Sequence, residues 1–228
     1  MEEKLVRPVT VAEFQRMNLH IYGKANERYT DSDLILRFYE DISDTMETAR
    51  KDELEKLPSQ IARNFSFANA VANRFEIDMQ EALWHKYPGV CPHCLREQNC
   101  MCSTEHPDIP DKEQMLRWRR RDRTLEPKTL AEHQAFHGKL YARQNRRILV
   151  IQTAGHLTEE AGEISKEYRH KNKPGMQDEL ADSFSWMFAL ANRCGFELAE
   201  TVWNQYPYEC EKCRETVCEC HSSKPPTG

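Results

Sequence analysis

Five acidic residues in the second half of the chain have the types and spacing of a chemical site: Glu159, Glu160 and Glu163, followed by Glu179 and Asp182. On a helix turning about 100° per residue, Glu163 falls about 40° from Glu159 and about 60° from Glu160, so all three can look at one place. Glu179 and Asp182, three apart, share a second face. Both groups sit in stretches of helix-period apolar spacing joined through Pro174-Gly175, and two antiparallel neighbours would bring the acidic faces together. Carboxylates gathered in this way repel and raise one another's pKa unless cations neutralise them, and an all-oxygen ligand set selects Mg²⁺ or Mn²⁺ over zinc. Acid pairs at helical spacing also decorate solvated faces. Here the apolar run of ELADSFSWMFALANR forces the helix that carries Glu179 and Asp182 into a core, where an acid needs a partner or a metal. His156 and Trp186 flank these acids at helical spacing as candidate substrate contacts, against the plainer readings of a structural histidine and a core aromatic.

Eight of the nine cysteines form two clusters, Cys91, Cys94, Cys100 and Cys102, then Cys210, Cys213, Cys218 and Cys220. Four thiolates within a dozen residues favour a closed tetrahedral zinc shell with no open position for water, hence two structural Zn²⁺ sites. Iron–sulfur ligation stays open, and His93 and His221 are spare ligands. The ninth, Cys194, reads as a packed free thiol.

The elements that must carry these groups come in two copies. At an offset of 119, Pro8 to Cys94 runs against Pro127 to Cys213 without a gap, and about a quarter of the paired residues are identical. The copies diverge where the acids lie: Glu160, Glu163, Glu179 and Asp182 face Asp41, Asp44, Gln60 and Arg63. Arg63 puts a fixed positive charge where a cation would sit, which predicts an internal ion pair and no catalysis from the first copy. In each copy a capping box, Thr10 with Glu13 and Thr129 with Glu132, opens a helix of roughly 18 residues. Further helices are predicted over about 31–53, 59–74 and 78–86, and over about 149–171, 177–193 and 197–205, with Pro58 and Pro174-Gly175 breaking the chain before the third of each set. The expected fold is therefore all-α, two helical bundles side by side forming a single-chain pseudodimer over residues 1–108 and 109–228, each ending in a cysteine clip. The connection 103–126 holds a basic run, Trp118 to Arg123, read as a solvated helix lead-in rather than as a polyanion guide.

A net charge of −5 and a pI near 6.0 give no global basic field, so a nucleic-acid partner is not expected. No apolar run approaches a membrane span and the start lacks an apolar leader, so no membrane association and a cytoplasmic location are expected.

The sequence EEAGE at 159–163, followed by ELAD at 179–182 and an apolar helix, resembles the MazG-like all-α nucleoside triphosphate pyrophosphohydrolases over roughly residues 145–198. The resemblance implies Mg²⁺-dependent cleavage of an NTP or dNTP between its α and β phosphates, giving a monophosphate and pyrophosphate. It implies Glu160, Glu163, Glu179 and Asp182 as metal ligands, with Glu159 either a further ligand or a competitor of Glu160 for the general-base role. Family members often carry a Lys and an Asn after the fourth helix, near a basic-Tyr-Pro ending. Here that stretch reads TVWNQYP, where Asn204 fills the Asn place and no lysine matches. The family's pocket is commonly shared between subunits, so the first copy would act as a tethered, inactive partner walling the pocket of the second, drift without a role being the alternative. A catalytically silent nucleotide-sensing or interaction protein is the competing functional reading, and further homodimerisation stays open.

Overall fold

A computed structural model describes residues 5–102 and 107–220; His221 lies outside them. Every regular element among these residues is helical. The first half supplies α1 (Val11–Asn26), α2 (Asp31–Arg50), α3 (Leu57–Arg74) and α4 (Met79–Lys86). After the connection comes α5 (Lys112–Arg121), and the second half supplies α6 (Leu130–Leu140), α7 (Ala142–Asn145), α8 (Val150–Arg169), α9 (Lys173–Cys194) and α10 (Leu198–Gln205). No described helix is long and apolar enough to cross a membrane.

The capping boxes form as their spacing predicts. Thr10 accepts from the Glu13 amide and Thr129 from the Glu132 amide, and each glutamate reaches back to its cap. Two local details differ from expectation. Pro58 and Pro174 lie inside the first turn of α3 and α9, where a missing N–H costs nothing, so they start these helices rather than precede them. The helix opened by Thr129 stops at Leu140, and Tyr141 leaves helical geometry at φ −106° and ψ 15° before the short α7.

The larger difference is in packing. The halves do not stand side by side as two closed bundles. The third and fourth helices of different halves pair, α4 on α9 and α10 on α3, while α2 packs against α8 and α3 against α9. One continuous apolar core results, reaching from Phe14 and Phe38 to Phe184 and Phe188. Near its centre Phe65 meets Phe184, the residue 119 further on, with ring centroids 4.9 Å apart. Truncating such a fully buried phenylalanine to alanine removes about 3–5 kcal/mol.

Polar contacts repeat at the same offset. The Gln15 amide donates to Asn73 and to the Ile77 carbonyl and accepts from the Met79 amide. Gln134 makes the corresponding bonds with Asn192, Phe196 and Leu198. The cysteine loops are exchanged like the fourth helices: the Cys100 amide donates to the Leu140 carbonyl, and the Cys218 amide to the Ile21 carbonyl, both at 2.7 Å. Each loop is thereby fastened to the first helix of the opposite half.

Candidate active site

Helices α8 and α9 are antiparallel neighbours, and they bring three of the five acids into one group. Glu160, Glu179 and Asp182 offer carboxylate oxygens all within 4.8 Å of one another. Glu163 is exposed and outside this triad, but within hydrogen-bond reach of Glu179. Burial and the neighbouring carboxylates push Glu160 up to about 8. Burial first, then Asp182 and Glu163, push Glu179 up to about 7, with Lys86 pulling the other way. Raised values of this kind mark a set of carboxylates that a divalent cation would discharge, so the residues fit an oxygen-ligated metal.

Glu159 is exposed and bonds His156 Nδ1 at 2.8 Å instead of joining the triad. His156 stacks on Trp186, with ring centroids 4.5 Å apart and planes 14° from parallel. The Trp186 indole N–H in turn donates to Glu160 Oε1 at 2.9 Å. Trp186 is thus both a wall of the cleft and the group that fixes one oxygen of Glu160. Asn204 is exposed on α10, which packs on α3 and α6, and it does not line the cleft.

The residues that sequence reasoning missed come from the first half. Because α4 crosses onto α9, Lys86 Nζ lies 2.9 Å from Asp182 Oδ2, and the Tyr87 hydroxyl donates to Asp182 Oδ1. Burial works to lower the Lys86 ammonium, but Asp182, with Asp178 and Glu179 behind it, outweighs burial and its pKa is raised. No lysine precedes Tyr206-Pro207, whereas Lys86 precedes Tyr87-Pro88 and reaches the triad from the first half. The signal was present in the sequence, since only the first copy ends its fourth helix in Lys-Tyr-Pro. A cleft of about 320 Å³ lined by Tyr87, Glu160, Asp182 and Trp186 is closed on one side by Cys91, His93, Cys100 and Cys102 and on another by Tyr141.

In the first half Arg63 pairs with Asp41, while Asp44 is exposed. Arg63 Nε lies 3.0 Å from Asp41 Oδ1, and Asp41 is almost fully buried. Burial raises Asp41 to about 7 against the opposing pull of Arg63.

Both cysteine clusters are assembled, the four sulfurs of each lying within 4.8 Å of one another. Cys91 Sγ lies 3.4 Å from Cys100 and 3.7 Å from Cys102, and Cys210 lies 3.7 Å from Cys220. A tetrahedron with zinc–sulfur bonds of roughly 2.3 Å has edges of roughly 3.8 Å, so the spacing fits. The loops turn through left-handed residues, Leu95 at φ 54° and Arg214 at φ 62°, whose amides bond back to the Cys91 and Cys210 carbonyls. Backbone N–H groups of Glu215 and Glu219 hold Cys213 down to about 6, whereas burial pushes Cys102 and Cys218 up to about 12.

Residues 151–206 match the MazG nucleotide pyrophosphohydrolase domain. The match spans α8, α9 and α10, and so includes all five acids and Trp186 but neither Lys86 nor Tyr87. Comparison with curated proteins and with solved structures found no match.

Proposed function

We propose that this protein is a Mg²⁺-dependent nucleoside triphosphate pyrophosphohydrolase with one active site, built on the second half and completed by the first. The observation that carries the reading is the triad Glu160, Glu179 and Asp182 inside a MazG domain, with Lys86 against Asp182. Glu160, Glu179 and Asp182, joined by Glu163, are the metal ligands. These carboxylates would hold Mg²⁺, or Mn²⁺ in its place, which would supply Lewis-acid charge for the phosphates and an activated water. Lys86, beside Asp182, neutralises the developing phosphate charge, so that positioning and electrostatics do most of the work, as phosphoryl chemistry needs. Glu159 and Glu160 compete for the general-base role. Trp186 fixes Glu160, and His156 braces Trp186 from behind.

The repeated contacts of Gln15 and Gln134, the Phe65–Phe184 pair and the crossed fourth helices support a tandem pseudodimer of residues 1–108 and 109–228. The sulfur spacing supports a structural zinc in each cysteine cluster. A silent nucleotide sensor is the second reading. The absence of a lysine before Tyr206-Pro207 and the substituted acids of the first half favour it, and Lys86 beside Asp182 weighs against it.

The test is turnover. The purified chain is incubated with each NTP and dNTP and Mg²⁺, and pyrophosphate is measured. Release from at least one nucleotide, abolished in Asp182→Asn, is the expected result; release from none would sink the enzyme reading.

A further inference from the structure

The first half carries a cavity of about 610 Å³ whose walls repeat those of the acid cleft at the offset of 119. Tyr22 stands for Tyr141, Ser66 for Ser185, Phe67 for Trp186, Tyr206 for Tyr87 and Lys212 for His93. The second cysteine cluster closes it as the first closes the acid cleft. What changes is the charge. Glu160 and Asp182 line the cleft, whereas neither Asp41 nor Arg63, their counterparts, lines this cavity, the two being engaged in their own ion pair. The charged residues of its wall are Arg28, Arg37 and Lys212, against one acid, Glu211. Arg37 lies flat over the Tyr29 ring, its guanidinium 4.1 Å from the ring centre, and Arg28 donates to the Cys220 carbonyl at 3.3 Å. Both guanidinium groups are thus held at the cavity while remaining exposed.

We propose that this cavity binds a nucleoside phosphate without a metal ion. Arg28, Arg37 and Lys212 receive the phosphates directly, the task for which an acid cleft requires a divalent cation. Phe67, Tyr22 and Tyr29 supply aromatic faces for the base. The volume lies within the roughly 300–1,000 Å³ of small-ligand sites. The inference rests on the walls and charges of this cavity and not on turnover at the acid triad, so either can fail alone.

Equilibrium dialysis of ATP against the full chain, in buffer without Mg²⁺ or Mn²⁺, tests it, with inorganic pyrophosphate as a second probe. ATP is expected to bind at about one equivalent per chain, to bind equally to Lys86→Ala, and to weaken about tenfold or more in Arg37→Glu and in Lys212→Glu. These two positions are exposed and lie on separate elements, and circular dichroism checks that each variant retains its helices. Absence of metal-free ATP binding overturns the proposal. So does binding lost in Lys86→Ala but kept in the two charge reversals, or pyrophosphate binding as tight as that of ATP.

Discussion

Lys86 Nζ lies 2.9 Å from Asp182 Oδ2, a contact between the first half of the chain and the half that carries the acid triad. The pair is mostly shielded, the lysine side chain 21% and the aspartate 19% exposed, so screening by water is weak. Lys86→Ala is expected to lower pyrophosphate release by about 10- to 100-fold, the range for losing a charge-assisted contact of about 1.5–3 kcal/mol. Initial rates at saturating nucleotide decide it, and an unchanged rate would remove Lys86 from the site.

Asp182→Arg copies the first half's substitution into the second. It places a guanidinium among Glu160, Glu179 and Glu163, and turnover is expected to vanish while the fold survives. Binding of Mn²⁺, read as attenuation of the free ion's paramagnetic resonance signal, should vanish with it; attenuation equal to the parent's would show that these acids are not its ligands.

Removing Arg63 leaves Asp41 buried without its cation. A broken buried pair costs about 3–5 kcal/mol, but the Arg63 side chain is 37% exposed and water screens part of that, so Arg63→Ala should lower unfolding stability by about 2 kcal/mol. Urea denaturation reads the change, and activity per folded molecule is expected to stay constant.

Burial lowers His133 to about 4 and His137 to about 3. His137 is packed among Tyr87, Phe136 and Phe188, and its Nε2 has no partner. Both are neutral in the fold and take up protons near pH 6.5 when unfolded, so the unfolded chain binds more protons below that pH. Stability should be constant above about 6.5 as far as these groups are concerned, then fall as the pH drops toward 4, with a slope approaching about 1.4 kcal/mol per unit for each group. His137→Phe should flatten this slope; a slope identical to the parent's would place the titration elsewhere.

Metal analysis of the purified chain is expected to give two zincs. Substituting Cys94 with serine should reduce the content toward one and lower the melting temperature, because the loop that bears it ties the first half to Leu140. Contents well below two in the unaltered chain would count against the assignment.

The helices were legible in the sequence because their signals are local. The Thr10 and Thr129 boxes, the apolar spacing and the cysteine intervals each act within a few residues. The grouping of Glu160, Glu179 and Asp182 was legible too, since a short turn between α8 and α9 leaves little choice of neighbour. The exchange of fourth helices was not. Two halves with the same apolar spacing offer similar faces to each other, so periodicity cannot tell whether α10 covers α9 or α3. That ambiguity leaves TVWNQYP as the expected end of the site's own fourth helix, whereas Lys86 meets Asp182 from the other half. Glu163 and Glu159 mark a second limit, because a helical wheel fixes direction but not reach.

The crossing also settles how the site responds to dilution. Were the halves separate molecules, the meeting of Lys86 with Asp182 would be a bimolecular event and would fail at low concentration. On one chain it is intramolecular, governed by a local effective concentration that short flexible tethers set in the millimolar range. The first half, and Lys86 with it, therefore remains present in one-to-one stoichiometry with the acid triad, however few copies of the protein there are.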